Sequence, residues 1–491
     1  MSSSNPASAD GTRAQIDFDG LTVRFPDRVR PAVLNVTEPI ERGEVIAITG
    51  PSGCGKTTLA RVLAGFIPSL VPAEVCGDVR VGGLSTMHAD PARTATRVGL
   101  IQQDPDAQIC TLRVRQEVAF GPENLCLPPA EIERRVDRAL RIAGIEHLVE
   151  RETPSLSGGE KQRLAIASIL AMEPEILVLD EPTANLDPPG AKGIFDTLAS
   201  LREREGRTLL VIEHRLAPLL PHGPRLWVMD GGRVVLRKTT RRHEDLVELG
   251  LRGRYESKAP HRTSGSPIGV SARSVRVSYG ARRVLDGLSL SIHRGEILGV
   301  IGANGCGKTT LLRLLAGLER PEAGTIERPD GMRVGMVFQH PHQQIFARTV
   351  RRELEIDGRL DDAQCAGVLE EARLSGLADA APFSLSLGEQ RRLTVSTALR
   401  TEPDLLLLDE PFIGQDRHNV AWMIGRIIDA RDRGAAIVLV SHDVPLLAGL
   451  CDRVLYLGEE PVDGSPSAVF AGLREIGEAA FTPEYWEGGP S

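Results

Sequence analysis

The sequence has no paired cysteines of the Cys-x-x-Cys kind. Its seven cysteines (Cys54, Cys76, Cys110, Cys126, Cys306, Cys365, Cys451) are odd in number and scattered. That usage argues against a disulfide framework and against a zinc site, and it fits a reducing cytoplasm. No run of about 18 apolar residues occurs, so no segment reads as a membrane-spanning helix. The opening MSSSNPASADGTR lacks a basic-then-apolar export pattern and reads as a polar, disordered leader over residues 1–13. An excess of positive charge is missing as well: 58 Lys and Arg stand against 66 Asp and Glu, a net charge of −8. The chain therefore offers no general attraction to nucleic acid or anionic lipid, and no nucleic-acid partner is expected.

With 491 residues, the chain exceeds what one hydrophobic core usually supports. Two domains follow directly from an internal repeat. GPSGCGKTT from Gly50 recurs as GANGCGKTT from Gly302, LSGGEKQRL from Leu156 as LSLGEQRRL from Leu385, and ILVLDEPT from Ile176 as LLLLDEPF from Leu405. VIEH ending at His214 recurs as LVSH ending at His442. The spacing between copies falls from 252 residues at Lys56 and Lys308 to 229 at Asp180 and Asp409, so the second copy is trimmed between those motifs.

Apolar, β-branched runs such as EVIAIT, ILVLD, TLLVI and AAIVLV alternate with longer helical patterns. This predicts an α/β fold of two tandem P-loop domains, each a mainly parallel sheet covered by helices. A helical pattern from about 104 to 153 interrupts the strands and predicts a helical subdomain, with a shorter equivalent in the second half. The expected boundaries are a first domain at 14–236, a Ser-, Gly-, Pro- and charge-rich linker at 237–267, a second domain at 268–458, and a C-terminal extension at 459–491.

In Gly-x-x-x-x-Gly-Lys-Thr, glycines let backbone amides converge on phosphate oxygens at the start of a helix. Gly50, Gly53, Gly55, Lys56, Thr57 and Thr58 form the first such set, and Gly302, Gly305, Gly307, Lys308, Thr309 and Thr310 the second. They predict binding of a nucleoside triphosphate with Mg²⁺. Asp180 and Asp409 end apolar strands, where an acid suits a metal, although a helix cap would read the same way. Glu181 and Glu410 follow at the place for a carboxylate that polarises an attacking water. Ser157, Gly158 and Gly159 open an amphipathic helix and form an amide-rich start suited to an anion.

Together these motifs resemble the ATP-binding cassette (ABC) ATPases, over nearly the whole chain and twice. The resemblance implies that Gln103 and Gln339 sense Mg²⁺ and relay the ATP state, where a polar strand-end residue is the plainer reading. Aligning VGLIQQDPDAQI with VGMVFQHPHQQI selects Gln103 over Gln102. It further implies that Asp187 and Asp416 are D-loop residues, that His214 and His442 contact the γ-phosphate, and that Phe25 and Tyr279 stack on adenine, although a core aromatic would look alike. Thr57, Gln103 and Asp180, with Thr309, Gln339 and Asp409, are the expected metal set.

Members of that family work as head-to-tail pairs, so Lys56, Glu181 and His214 are expected to act with Ser386 and Gly388, and Lys308, Glu410 and His442 with Ser157 and Gly159. Leu387 replaces the first signature glycine, where glycine's freedom is expected to matter. IGQD stands for ANLD in the second half, and Glu213 precedes the first histidine. The site using Lys56 is therefore expected to turn over more slowly.

QDPDAQICTLRVRQEVAFGPENL, from Gln103 to Leu125, resembles the ATPases of energy-coupling factor (ECF) transporters, and Gln339, Pro341 and Gln344 repeat its first element. That likeness implies a transmembrane coupling subunit docking near Gln103, Gln108, Gln339 and Gln344, a separate substrate-capture membrane protein, and a peripheral place on the cytoplasmic face of the membrane. The cargo would be a vitamin, a vitamin precursor or a transition-metal ion. As a bare Gly-Pro signal, FGPEN would mark a turn. Rivals are a fused sugar-importer ATPase and a ribosome-associated ABC translation factor, which normally carries a long charged helical arm between its halves.

Overall fold

The aliphatic runs of each half become strands buried on both faces, as a parallel sheet covered by helices requires. A computed structural model describes residues 14–483 except 27, 29, 185, 243–244, 247–248, 250–267, 281, 357 and 359. They form two compact units, one carrying Lys56, Asp180, Glu181 and His214, the other Lys308, Asp409, Glu410 and His442.

In the first half, chain order is β1 (Ile16–Arg24), β2 (Val33–Val36), β3 (Val45–Thr49), α1 (Lys56–Leu63), β4 (Glu74–Val81), β5 (Leu84–Ser85), α2 (Pro91–Ala95) and β6 (Val98–Ile101). It continues with α3 (Val114–Asn124), α4 (Pro129–Ala143), α5 (Gly158–Leu170), β7 (Ile176–Asp180), α6 (Pro188–Glu205), β8 (Thr208–Ile212), β9 (Arg225–Asp230) and β10 (Arg233–Thr239). The main sheet runs β10-β9-β3-β8-β7-β6 and is parallel apart from the β9-β10 pair. A separate antiparallel sheet, β2-β1-β4-β5, covers one side of the core. This second sheet was not expected from the apolar runs, because its strands are only half covered: along much of β1 buried and exposed residues alternate.

The second half gives β11 (Ile268–Tyr279), β12 (Arg282–His293), β13 (Ile297–Ile301), α7 (Lys308–Ala316), β14 (Ala323–Glu327), β15 (Val334–Val337), α8 (Val350–Leu354) and α9 (Asp362–Glu371). Then come α10 (Leu387–Arg400), β16 (Leu405–Asp409), α11 (Arg417–Asp432), β17 (Ala436–Val440), α12 (Val444–Leu450), β18 (Arg453–Tyr456), β19 (Val462–Gly464) and α13 (Pro466–Glu475). Its main sheet, β15-β16-β17-β13-β18-β19, repeats the first strand for strand, and β12-β11-β14 is the antiparallel layer. The expected helical subdomain is α3 and α4, of 11 and 15 residues, packed on α5. Its counterpart is trimmed to α8 and α9, of 5 and 10 residues.

Three differences from expectation have local causes. Phe120 to Asn124 end helix α3 rather than making a turn; Pro122 is buried within the helix, and Gly121 leaves room for Met172, whose Cγ would lie 2.6 Å from an added Cβ. The strand β10 runs across the boundary drawn at 236/237, and Lys238 Nζ donates to Asp245 Oδ1 at 2.8 Å. Beyond 458, β19 pairs with β18, and Phe470 and Phe481 enter the second core, so this stretch completes the second sheet and is no appendage. The leader 1–13, linker residues 250–267, and Tyr485 and Trp486 lie outside the described residues. No helix among the described residues is long and apolar enough to cross a membrane.

Since Phe470 is fully buried, Phe470→Ala is expected to cost about 3–5 kcal/mol. Denaturant unfolding of the full chain measures it; a loss under about 1 kcal/mol would mean that the C-terminal stretch contributes little to the core.

Candidate functional site

In each half, adjacent strands of the main sheet end at one edge, and the motif residues follow them. The loop after β3 leads to Lys56, His214 follows β8, Asp180 ends β7, and Gln103 follows β6. Strands about 4.8 Å apart thus gather residues far apart in sequence.

The loop after β3 leads into α1 through glycines in the left-handed region. Gly50 has φ 147, and a Cβ there would lie 2.0 Å from the carbonyl oxygen of Met229. Lys56, buried, donates from Nζ to the carbonyls of Gly50 at 2.8 Å and Pro51 at 3.1 Å. Lys308 makes the same pair of bonds, to Gly302 and Ala303, both at 2.9 Å. These lysines are held at the mouth of a loop whose amides face the start of a helix.

Asp180 and Asp409 are last residues of strands, not helix caps. Thr309 Oγ1 donates to Asp409 Oδ2 at 2.7 Å, and the Thr57 hydroxyl bonds Asp180 in the same way. Burial pushes the Asp180 carboxyl up to about 6, and Asp409 is raised for the same reason. A buried carboxylate with a more accessible hydroxyl beside it supplies hard oxygen donors that suit Mg²⁺.

Glu181 and Glu410 occupy the left-handed region, at φ 50 and 49, which is uncommon for a residue with a Cβ and costs of order 1–3 kcal/mol. Their amides donate to Ile212 and Val440 carbonyls at 2.9 and 3.0 Å. The turn aims each carboxylate at the next strand's histidine: His214 Nε2 lies 3.3 Å from Glu181 Oε1, and His442 Nε2 lies 3.3 Å from Glu410 Oε1. Burial alone would raise the Glu181 carboxyl, but the bond from His214 and the charges of His214, Lys56 and Arg215 hold it below the ordinary range. Gln103 Nε2 donates to Glu181 Oε2 at 2.9 Å, so one carboxylate joins three predicted site residues. In this geometry a carboxylate held ionised, a lysine at a glycine loop and a hydroxyl-carboxylate pair meet at one sheet edge, an arrangement that suits triphosphate hydrolysis.

The match to a model of the ABC transporter family covers residues 33–184 and 285–413, more than half of the chain. The chain belongs to the ABC transporter family. A provisionally named ABC transporter ATP-binding protein of Methanosarcina mazei is 32% identical over 95% of this chain and 92% of its own length. One of Bacillus subtilis, provisionally named HMP/thiamine import ATP-binding protein YkoD, is 33% identical over 93% of this chain and 92% of its own length. Among solved structures, the archaeal ribosome recycling factor aABCE1, in complex with ribosomal stalk protein aP1, superposes with a TM-score of 0.66. It covers 93% of this chain and 92% of that one at 22% identity, a likeness of fold.

The remaining motif residues of this ABC ATPase take more ordinary local roles. Ser157 caps α5 and Glu160 returns a bond to the Ser157 amide at 2.7 Å; Ser386 and Glu389 form the same box on α10. The expectation that backbone freedom matters at the first signature glycine is corrected: Gly158 has no left-handed φ, and a Cβ there meets nothing within 4 Å. Leu387 accordingly opens α10 without strain and projects a 40% exposed side chain. Gly159 lies in the first turn of α5, and Gly388 beside the Gln415 side chain. Asp416 caps α11 through the Asn419 amide at 2.8 Å, and Asp187 directly precedes α6. Tyr279 ends β11 half exposed, its hydroxyl 3.4 Å from Thr310 Oγ1, whereas Phe25 is partly buried against the first core. Thr58 sits half-buried in the first turn of α1.

Several positioning contacts escaped the reading of single motifs, which took Gln108 and Gln344 only as residues near a docking surface. Gln108 Oε1 accepts from the Gln102 amide at 3.0 Å, and Gln344 Oε1 from the Phe338 amide at 2.7 Å, closing each Q-loop on itself. Glu117 accepts from the Cys110 and Thr111 amides at 3.0 and 2.8 Å, as Glu353 does from Phe346 and Ala347. The recurrence of both residues at matching places in the two copies was the available signal. Glu213, buried, accepts from Thr183 Oγ1 at 2.8 Å, and burial raises its carboxyl.

Gly50→Ala should cost more than about 2 kcal/mol, whereas Gly158→Ala should stay within about 0.5 kcal/mol, both by thermal unfolding. The Asp180 carboxyl, raised to about 6 from 3.8, destabilises the nucleotide-free chain when ionised. Stability associated with its protonated form is full below the unfolded value and lost as pH rises through about 6. Asp180→Asn should therefore stabilise the nucleotide-free chain at pH 8 by on the order of 2 kcal/mol and by less at pH 5. A gain independent of pH would contradict this origin.

Proposed function

We propose that this ABC ATPase hydrolyses ATP to power import of a small solute through a separate membrane transporter of the ECF type. Exposed apolar side chains beside each Q-loop carry the reading. In the first half, Leu112 and Phe120 are 73% and 46% exposed. In the second, Phe346 and Ile356, 76% and 54% exposed, line an open depression of 440 Å³ with Ala347, Arg348, Arg352 and Glu355. Large apolar groups in water beside an ATP-sensing loop fit a partner's amphipathic helix. The Bacillus subtilis relative, named for HMP/thiamine import, supports an import role; the cargo in this proposal is a vitamin, a vitamin precursor or a transition-metal ion. The chain would sit on the cytoplasmic face of the membrane through its coupling subunit, beside a substrate-capture protein.

In the proposed chemistry, Lys56 and Lys308 bind terminal phosphates at their loops. Thr57 with Asp180, and Thr309 with Asp409, would hold Mg²⁺, with Gln103 and Gln339 completing the sets. When bound, the metal neutralises charge building on the phosphate oxygens. Glu181 and Glu410 take the proton of the attacking water, while His214 and His442 orient those carboxylates and meet the γ-phosphate. Tyr279, beside the second phosphate loop, is the better placed of the two aromatic candidates for adenine.

Glu181→Gln and Glu410→Gln should each lower ATP hydrolysis, the second more strongly, since Leu387 is proposed to weaken the site that uses Lys56. Equal losses, or a larger loss from Glu181→Gln, would sink that inequality. Purification from detergent-solubilised membranes should recover a multispanning protein with the wild-type chain, and Phe346→Asp should lose it while keeping soluble ATPase activity. Recovery on ribosomes alone would favour a translation role instead.

A further inference from the structure

The two halves tie their Q-loops to the signature helix with different chemistry. In the first, exposed Asp106 on the loop pairs with Lys161 on α5 at 2.5 Å, and Gln103 reaches the Glu181 carboxylate directly. Gln162, the next residue on α5, is buried, and its Nε2 has no hydrogen-bond partner among the described residues. The matching position on α10 is Arg391, 2% exposed and among the largest fully buried side chains.

Arg391 Nη2 donates to the carbonyl of Gln339 at 2.7 Å, and Nη1 donates to the carbonyl of Glu410. One guanidinium thus spans the Q-loop and the left-handed turn that aims the proposed base. Burial lowers the pKa of its guanidinium to about 10, below the usual arginine range, and the nearby Glu410 and Asp409 charges offset only part of this. Burying a cation with carbonyls as its close partners is unfavourable, and a planar fork with two fixed donor directions is the feature that an ammonium lacks.

We propose that Arg391 is a positioning residue of the second half, holding the Q-loop and the Glu410 turn as one rigid piece so that Q-loop displacement moves the base. This rests on Glu410 acting as the base. In the first half the same coupling runs through a single side-chain bond, Gln103 to Glu181, which leaves the carboxylate its His214 contact when it breaks. The second half is thus the more tightly coupled of the two.

The test uses the full chain with Arg391→Gln, Arg391→Lys and, as a control for losing a buried arginine from the same helix, Arg392→Gln. Arg392 donates to the Ala372 carbonyl at 2.8 Å, away from the site. Steady-state kcat and KM for MgATP are measured beside thermal midpoints. Arg391→Gln should lower kcat by about tenfold to a hundredfold with KM within about threefold, and Arg391→Lys should not restore it. Arg392→Gln, at a similar or lower midpoint, should keep kcat within about threefold. Wild-type kcat in Arg391→Gln, full rescue by Lys, or losses that follow the midpoint in both arginine variants would overturn the proposal. If Arg391→Gln fails to fold, the Lys variant carries the same test. Glu410→Gln run alongside separates the two ideas: an undiminished wild-type rate there removes Glu410 as base, whereas a lowered rate there with Arg391→Gln unaffected removes only Arg391.

Discussion

Everything in each half depends on a glutamate held in a left-handed turn at the end of a buried strand. Neither Glu181 nor Glu410 would choose that backbone on its own, and each is kept there by a hydrogen bond from its backbone N–H to a carbonyl of the neighbouring strand. The turn reverses the chain immediately after the aspartate, so that carboxylates adjacent in sequence serve different purposes. Asp180 and Asp409 face the threonine of the phosphate loop, while Glu181 and Glu410 face a histidine. Two acids so close would normally compete for a proton; burial pushes Asp180 up, whereas His214, Lys56 and Arg215 outweigh burial and hold Glu181 down. The order of the parallel strands makes this possible, because it sets the phosphate loop, the histidine, the acids and the glutamine along consecutive strand ends.

Most of this was legible in the sequence, because the residues proposed to do the chemistry also mark strand and helix boundaries. ILVLD ends at the residue where its strand ends, and TLLVI spans its strand completely. Half-covered elements were harder to read. The antiparallel sheet built on β1 alternates buried and exposed residues, a weaker signal than a continuous apolar run, and short β19 carries little apolar content of its own. FGPEN misleads for a different reason: Gly-Pro usually breaks helices, but here the glycine admits Met172 and the helix continues past the proline. Arg391 could not be valued from the sequence, since an arginine beside a signature motif looks like a surface residue until the fold buries it.

Duplication has not kept the halves equal. Both retain the glycine loop with its lysine, the threonine-aspartate pair and the glutamate-histidine contact. They diverge around that centre, in Leu387 for Gly158, Arg391 for Gln162, Ser441 for Glu213, and a shortened helical subdomain. Divergence is thus concentrated in the parts that hold and transmit rather than in the parts that react. Under the proposed coupling the second half is the more tightly held of the two, and the membership of the chain in the ABC family accounts for the motifs that both halves share.

The central claim is that two glutamates, and no other bases, carry hydrolysis. Phosphate release by the purified chain carrying both Glu181→Gln and Glu410→Gln, measured beside ATP binding, tests it most directly. The account predicts that binding persists and Mg²⁺-dependent release falls to background. Sustained release by the double variant would contradict it.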